Sequence, residues 1–228
     1  CRLCSTEPTM TQEKVTFQTT DGVTIIGDWD AVTGAKKAVL LLHMMPAVRG
    51  SWSPLSAELK KNNFATLAIA LRGHGESTQQ GEKKLDYTKF NDIEHQASRL
   101  DVDTAINFLK TKGFAEENIL IVGASIGANL VADAMYRYVK IGHGVLLSPG
   151  LDYRAIRTEP AVKQLTTDQK IWIVSSEGDK YSADSTVKLQ QTKPDNITIS
   201  MVEGSDHGTN MFASQKTLIQ DIVKFLAF

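Results

Sequence analysis

Ser125 lies between two glycines where a buried strand is predicted to turn into a helix. The segment reads Gly123-Ala-Ser125-Ile-Gly127 and follows the apolar run Asn118–Val122. In a sharp strand-to-helix turn the central residue is strained, and only small residues fit two places before and two places after it. That geometry lifts a serine hydroxyl clear of the sheet, and the N-terminus of the next helix favours negative charge beside it. The pattern therefore predicts a nucleophilic serine.

His207 is predicted to be the base that such a serine needs. It lies in the stretch 204–208, GSDHG, after the last predicted strand. A serine hydroxyl is a weak nucleophile until a base removes its proton, and histidine suits that task near neutral pH. The remaining histidines are scattered, with no cluster at metal-ligand spacing, so neither a catalytic metal nor a cofactor is expected. They are His43, His74, His95 and His143.

Asp179 is predicted to orient the imidazole and to stabilise its charged form. It lies in Glu177-Gly-Asp179, after the predicted strand Ile171–Ser175. The order serine, aspartate, histidine along the chain is that of one serine-hydrolase architecture. Three other acids remain open at this stage: Asp152, which follows a neighbouring strand, Glu177, and Asp206 beside the histidine, which more readily faces away or caps its loop.

The elements that must position these side chains alternate between strands and helices. Two antiparallel strands, Val15–Gln18 and Val23–Trp29, are predicted around the turn signal Asp21-Gly22. The further predicted strands are Ala38–His43, Phe64–Leu71, Asn118–Val122, Val145–Leu147, Ile171–Ser175 and Ile197–Val202. The predicted helices are Ser51–Asn62 with Ser51 as N-cap, a long helix in Asp86–Lys112 with Ile93 on its apolar stripe, Ile126–Tyr138, Ala183–Gln191 and Ser214–Leu226. This alternation predicts an α/β fold, whose mostly parallel sheet is covered by helices on both faces and binds ligands at the carboxyl ends of its strands.

Composition limits the classes of function. The 228 residues, 42% of them hydrophobic, predict one domain over 13–228 after a flexible tail over 1–12. With 25 basic and 26 acidic residues, a nucleic-acid or anionic-membrane surface is not expected. No apolar run approaches the roughly 20 residues of a membrane span.

The only two cysteines, Cys1 and Cys4, lie in the tail, so neither a disulfide framework nor a thiol nucleophile is expected in the body. A cytoplasmic location is favoured. The alternative is an envelope lipoprotein anchored through Cys1, whereas a gene-start or cloning artefact, with Met10 as the natural start, would also explain the first residue.

From about Val15 onward, these motifs resemble the α/β-hydrolase superfamily, specifically its small bacterial esterases and dienelactone-hydrolase-like members. The motifs are Gly-Ala-Ser125-Ile-Gly, Leu42-His43, the stretch 71–77 (LRGHGES), Gly178-Asp179 and Asp206-His207-Gly208. The resemblance implies an α/β-hydrolase fold with a minimal cap or none. It also implies that Ser125 is the nucleophile, His207 the general base and acid, and Asp179 its orienting partner.

The resemblance further implies an oxyanion hole made of two backbone N–H groups. One should come from Ile126 and the other from the loop after Ala38–His43, where Met45 is the candidate and Met44 its neighbour. The family usually has His-Gly at this loop, and here it reads His43-Met44-Met45. The two methionines are expected to line the acyl pocket, unless one of them fills core, and His43 is expected to orient the loop beside the substrate.

The expected substrate is a small, soluble, short-chain carboxylic ester, cleaved through an acyl-enzyme. The stretch Ser148–Lys170, where related enzymes carry a cap, is short, and Tyr153 and Ile156 are expected to wall one side of an open cleft. A thioesterase, a lactone or dienelactone hydrolase, or an acyl-peptide hydrolase would use the same triad. A non-catalytic scaffold is less favoured because all three triad residues are present. Beyond the small-molecule ester, a second copy in a homodimer is the one partner kept open.

Overall fold

The computed structural model describes residues 10–228, so the predictions about Cys1 and Cys4 lie outside the described part. The strands are β1 Met10–Gln18, β2 Val23–Val32, β3 Lys37–Leu42, β4 Phe64–Ala70, β5 Gln79–Gln80, β6 Lys83–Lys84, β7 Ile119–Ala124, β8 His143–Leu147, β9 Asp152–Tyr153, β10 Ile156–Arg157, β11 Lys170–Ser176 and β12 Ile197–Val202. The helices are α1 Ser53–Lys61, α2 Asp92–Gln96, α3 Ser98–Thr111, α4 Ile126–Arg137, α5 Glu159–Lys163, α6 Lys180–Thr192, α7 Met211–Ser214 and α8 Leu218–Ala227. Short 3₁₀ turns lie at Arg49–Trp52, Tyr87–Lys89, Glu116–Asn118 and Gly208–Asn210.

Ten of the strands form one sheet in the order β12-β11-β8-β7-β3-β4-β2-β5-β6, with β1 paired to β2. The six strands from β12 to β4 run parallel to their neighbours. The β1–β2 hairpin, the β2–β4 pair and the small β5–β6 hairpin are antiparallel. The predicted mostly parallel sheet with an N-terminal antiparallel hairpin is confirmed. Its parallel part brings the carboxyl ends of β3, β7, β8, β11 and β12 to one edge.

The sheet separates two hydrophobic cores. Along β3, Leu40 and Leu42 point into one core and Val39 and Leu41 into the other, as the two-residue period of a strand requires. The first core receives side chains from α3, α4, α5 and α6, and the second receives side chains from α1 and α8. All six residues of β3 except its first are buried, which accounts for the unbroken apolar run of a strand covered on both faces.

Three helix predictions are wrong in detail. The long helix predicted within Asp86–Lys112 is interrupted at Ala97 between α2 and α3, and Ile93 is 78% exposed because the buried side of the two helices carries His95, Ser98, Val102 and Ala105 instead. The closing helix α8 begins at Leu218 and not at Ser214, which ends the short helix α7. Ser51 does not cap α1, because it lies inside the preceding 3₁₀ turn and Trp52 occupies the N-cap position. The pairs β5–β6 and β9–β10 were not predicted, since two-residue strands carry no periodic pattern.

Among the described residues, none of the helices combines the length and apolarity needed to cross a membrane.

Candidate active site

Ser125 occupies the strained turn that its flanking glycines predict. It joins β7 to α4 with φ 54° and ψ −121°, a left-handed conformation that non-glycine residues rarely adopt. The backbone N–H of Ser125 donates to the Leu147 carbonyl at 2.8 Å, and the Ser125 carbonyl accepts from the Ala128 N–H at 2.9 Å. The turn is therefore held both by the strand β8 and by the helix α4. The residue is 8% exposed at the carboxyl edge of the sheet.

The two glycines of this turn are required by close packing. A Cβ at Gly123 would overlap the carbonyl group of Gly127. A Cβ at Gly127 would overlap the carbonyl group of Leu42 at the end of β3 and would lie 2.8 Å from the carbonyl oxygen of His43. Because Gly127 lets α4 approach the end of β3 this closely, the turn and the loop after β3 form one compact unit.

His207 and Asp179 meet at the same edge of the sheet. The Asp179 Oδ2 atom lies 2.6 Å from His207 Nδ1, and both side chains are largely covered, with 16% and 32% of their surfaces exposed. An imidazole that donates from Nδ1 to a carboxylate presents Nε2 as the proton acceptor. A Cβ at Gly208, next to His207, would lie 3.1 Å from the Ala124 Cβ, so the histidine loop lies against the turn that carries Ser125. Within residues 10–228 no hydrogen bond joins the Ser125 hydroxyl to the His207 ring.

Two serines that sequence reasoning missed hold the His207 loop in place. The Ser176 hydroxyl donates to the Asp206 carbonyl at 2.7 Å, and the Ser148 hydroxyl accepts from the Gly208 N–H at 2.9 Å. The backbone is therefore fixed on both sides of His207. Both serines lie at the ends of predicted strands, and that position is the signal that could have identified them.

The rival acids take other positions. Asp152 accepts from the Ala155 N–H at 2.8 Å and from the Arg157 guanidinium at 3.3 Å, so it stabilises the turn between β9 and β10. Glu177 is exposed, and Asp206 borders a pocket of about 550 Å³ whose other lining residues include Thr209 and Phe212. Asp179 is thus the acid that reaches the imidazole, and it is also the residue at the N-cap position of α6.

His43 supports the loop after β3 from beneath. Its Nε2 atom accepts the Leu71 N–H at 3.0 Å, so the ring proton is on Nδ1, which donates to the Met44 carbonyl at 2.8 Å. The side chain is fully buried, and burial together with the nearby His74 lowers the pKa of His43 to about 3. The expectation that His43 orients this loop agrees with these contacts. Its expected contact with substrate does not, because the ring has no exposed surface.

The two methionines of this loop take different environments. Met44 is 7% exposed and packs against the histidine loop, where its sulfur lies 3.9 Å from the Thr209 hydroxyl, whereas Met45 is half-buried. In the described part of the chain, the N–H groups of Met44, Met45 and Ile126 have no hydrogen-bond acceptor. The structure therefore leaves free the N–H groups that an oxyanion hole would use, while Met44 mainly fills core.

Tyr153 and Ile156 were both expected to wall the cleft, but they take different positions. Tyr153 is half-buried, and its ring meets the His207 ring edge to face with 6.4 Å between the centroids. Ile156 is completely buried in the first core and cannot contact a substrate. Burial raises the pKa of the Tyr153 phenol, and the charge of Asp179 adds to that effect, so the phenol is protonated at neutral pH.

The stretch 71–77 holds the loop after β4 in place. Arg72 is buried and bridges Asp101 and Asp21, with nitrogen–oxygen distances of 2.8 Å to each carboxylate. His74 stacks on Tyr87 at 3.8 Å between ring centroids, and burial lowers its pKa to about 4. These contacts fasten the loop after β4 and leave both residues away from Ser125. Within the described residues, no group of three or more His, Cys, Asp and Glu side chains is placed to hold a metal ion.

Comparison with known proteins agrees with this fold. The family described as serine aminopeptidase, S33, matches residues 33–197. An esterase from Pyrococcus furiosus is 17% identical with a TM-score of 0.73, and the alignment covers 96% of this chain and 91% of that chain. A dienelactone hydrolase from Anabaena variabilis is 13% identical with a TM-score of 0.77, covering 96% and 97%. An esterase from Exiguobacterium antarcticum is 11% identical with a TM-score of 0.73, covering 95% and 100%. No curated protein matches the chain. At these identities the structural likeness shows the α/β-hydrolase fold.

Proposed function

Since the chain belongs to the serine aminopeptidase S33 family of α/β hydrolases, we propose that it is a serine carboxylesterase that cleaves small, short-chain esters. The observation that carries the proposal is the Asp179–His207 pair, 2.6 Å apart, against the strained turn that presents Ser125. Ester hydrolysis needs a nucleophile, a base and an oriented acid at one place, and these three residues come from three different strand ends.

The chemical steps follow from the positions of these groups. Ser125 Oγ attacks the ester carbonyl carbon while His207 Nε2 takes its proton, and Asp179 stabilises the resulting imidazolium. The N–H groups of Ile126 and Met45 donate to the oxygen that gains negative charge. His207 then returns the proton to the leaving alcohol, and water releases the acyl group from Ser125 by the same route.

The segment after β8 supports a preference for short acyl groups. Between Ser148 and Lys170 it forms only the β9–β10 hairpin and the five-residue helix α5, which gives no cap over an acyl chain. Ser125 is only 8% exposed, with the Tyr153 ring beside His207, so the space directly over the nucleophile is small. A long acyl chain would have to lie on the protein surface, where burial of its methylene groups would contribute little binding free energy.

Aminopeptidase activity is the second candidate. The family description names it, and a pocket lined by Asp206, Thr209 and Phe212 carries the carboxylate of Asp206, which has no ion-pair partner among the described residues. None of Ser125, Asp179 and His207 lines this pocket. A carboxylate in such a pocket could bind the ammonium group of an amino-terminal residue.

Hydrolysis of a p-nitrophenyl ester series from acetate to palmitate tests the main proposal, and aminoacyl p-nitroanilides test the second candidate. We expect the highest kcat/KM at acetate or butyrate, and a loss of about 10⁴-fold or more in Ser125→Ala. Ser205→Ala is the matched control, since Ser205 is an exposed serine in the His207 loop, and it should retain wild-type rates. A maximum at palmitate would contradict the short-chain preference, and equal rates for wild type and Ser125→Ala would contradict the assignment of the nucleophile.

A further inference from the structure

Two tyrosine rings, Tyr153 and Tyr181, lie next to each other on the His207 side of the candidate site. The Tyr153 ring meets the His207 ring edge to face with 6.4 Å between the centroids, and the Tyr181 ring meets Tyr153 in the same way at 5.5 Å. Tyr153 is half-buried, whereas Tyr181, the second residue of α6, is 48% exposed. This tyrosine pair therefore forms an aromatic surface that runs from the His207 imidazole out to solvent.

Both rings of the tyrosine pair are held in place by the protein. A Cβ at Gly150 would lie 2.6 Å from the Tyr181 ring and 2.8 Å from the Tyr153 ring, so the glycine allows both rings to pack there. The Tyr181 hydroxyl accepts from the Asp152 N–H at 3.0 Å and donates to the Asp152 carbonyl at 2.9 Å. The Tyr153 hydroxyl lies 3.1 Å from the hydroxyl of the completely buried Ser182. Because both hydroxyl groups are hydrogen-bonded within the protein, the pair presents ring surfaces to a substrate.

The hairpin that carries Tyr153 is fixed to the helix that follows Ser125. The Asn129 side chain on α4 accepts from the Gly150 N–H at 3.1 Å and donates to the Ile156 carbonyl at 2.7 Å, which ties both ends of the β9–β10 hairpin to α4. The tyrosine pair is therefore held in one position relative to Ser125. An aromatic surface that is already ordered binds a ligand at little cost in side-chain entropy.

The position of the tyrosine pair beside His207 indicates which part of an ester it would contact. In the proposed mechanism His207 returns a proton to the leaving oxygen, so that oxygen and the alcohol part attached to it lie on the His207 side of the bound ester. The carbonyl oxygen faces the N–H groups of Ile126 and Met45 instead. The acyl group occupies the small space over the nucleophile. The alcohol part is therefore the group that reaches the tyrosine pair.

We propose that the protein prefers esters whose alcohol part carries an aromatic ring, and that this ring packs against Tyr153 and Tyr181. The inference rests on the proposed function, since it takes His207 as the acid that protonates the leaving alcohol. Aromatic rings attract each other in offset-stacked and edge-to-face arrangements because of their quadrupoles. Such a contact is worth a factor of about 2–10 in binding beyond the burial of apolar area.

Benzyl acetate and cyclohexylmethyl acetate test this preference. They share the acyl group and have the same number of carbon atoms in the alcohol part, and they differ in whether its ring is aromatic. Each kcat/KM is divided by the rate constant for alkaline hydrolysis of the same ester, which removes the difference in chemical reactivity. We expect the resulting value to be about 2- to 10-fold higher for benzyl acetate than for cyclohexylmethyl acetate. The difference should appear mainly in KM, because the ring contact is made equally in the bound substrate and in the transition state.

Four variants assign the preference to the tyrosine pair. Tyr181→Leu and Tyr153→Leu each replace a ring by an aliphatic side chain, and the preference for benzyl acetate should fall at least about 2-fold in both. Tyr181→Phe keeps the ring and loses only the hydroxyl, so it should retain the wild-type preference. Tyr136→Leu is the matched control, because Tyr136 is 47% exposed near the opposite end of α4 from Ser125. This control should also retain the wild-type preference.

The outcomes separate this inference from the proposed function. Equal normalised values for the two esters would overturn the inference alone, as would a benzyl preference that is unchanged in Tyr181→Leu. Hydrolysis of p-nitrophenyl acetate with no hydrolysis of either alkyl ester would also overturn only the inference. Because Tyr181 is exposed, its variants decide the question even if Tyr153→Leu does not fold. If the wild type hydrolyses none of these esters faster than Ser125→Ala does, the proposed function fails with the inference.

Discussion

Lowering the pH from 7 to 5 tests the role of His43 beneath the loop after β3. The ring is completely buried, Nδ1 donates to the Met44 carbonyl, and Nε2 accepts the Leu71 N–H. A proton added to Nε2 would break the second of these hydrogen bonds and would place a charge where no carboxylate contacts it. Burial, followed by repulsion from the neighbouring His74, accordingly lowers the pKa of His43 from 6.5 to about 3.

The pKa of His43 determines how much stability is lost in acid. The unfolded chain takes up a proton on this residue below pH 6.5 and the folded chain does so only near pH 3, so the folded state loses stability as the pH falls between these values. At pH 5 the loss is about 2 kcal/mol, from about 1.5 pH units at about 1.4 kcal/mol each. His74, with a pKa lowered by burial to about 4, changes in the same direction. Asp101 opposes both, because burial raises its pKa to about 6.

Comparison with a variant isolates the contribution of His43 from these other groups. His43→Gln places a side chain that does not titrate at the same position. Urea unfolding of both proteins at pH 7 and pH 5 should show that the wild type loses about 2 kcal/mol more of its free energy of unfolding than the variant does. Equal losses in the two proteins would refute the assignment of a neutral, buried His43. A His43→Leu variant, whose side chain has no donor for the Met44 carbonyl, should hydrolyse esters more slowly at pH 7 because the loop after β3 loses this hydrogen bond.

Two further predictions concern the loops that surround the site. Asp101→Ala should lower the free energy of unfolding by about 3–5 kcal/mol in urea titration, because it leaves Arg72 buried with one carboxylate fewer. The control Glu58→Ala removes an ion pair with the exposed Lys61 and a 3.4 Å hydrogen bond from Asn62, and it should cost under about 1 kcal/mol, so a similar loss in both would contradict this reasoning. Gly127→Ala should reduce ester hydrolysis at least about 10-fold and lower the unfolding temperature, because its Cβ would overlap a carbonyl at the end of β3. Gly142→Ala, which has free space around the added carbon, should do neither.

The parts of the site that could be predicted from the sequence are those fixed by local demands of the backbone. A serine held at φ 54° needs small neighbours two residues away on each side, and Gly123 and Gly127 meet this requirement. Both are visible in the sequence. Asp179 follows the buried strand β11 and His207 follows the edge strand β12, and parallel strands bring their carboxyl ends to one edge whatever the loops between them do. Their meeting at 2.6 Å is therefore a consequence of topology together with chain order.

The parts that could not be predicted depend on contacts between distant segments. Apolar residues lie on more than one side of α2 and α3, and the helical period alone does not show which side faces the core. The buried side carries His95, Ser98 and Val102, and Ile93 is exposed. Ile156 and Tyr153 lie three residues apart in a turn, where no periodicity indicates which side chain faces the core. Their positions follow from the hydrogen bonds that Asn129 makes to the hairpin, and nothing in the sequence identifies Asn129 as their partner.

These contacts also hold the short segment after β8 close to Ser125. Asn129 lies one helical turn after Ser125, so the helix α4 that begins there also anchors the hairpin that carries Tyr153. A separate cap would move relative to Ser125, and its closing would determine access. Here the hairpin and Ser125 belong to one packed unit. We therefore expect that acylation by small esters needs no closing movement, and that solvent viscosity has no effect on its rate.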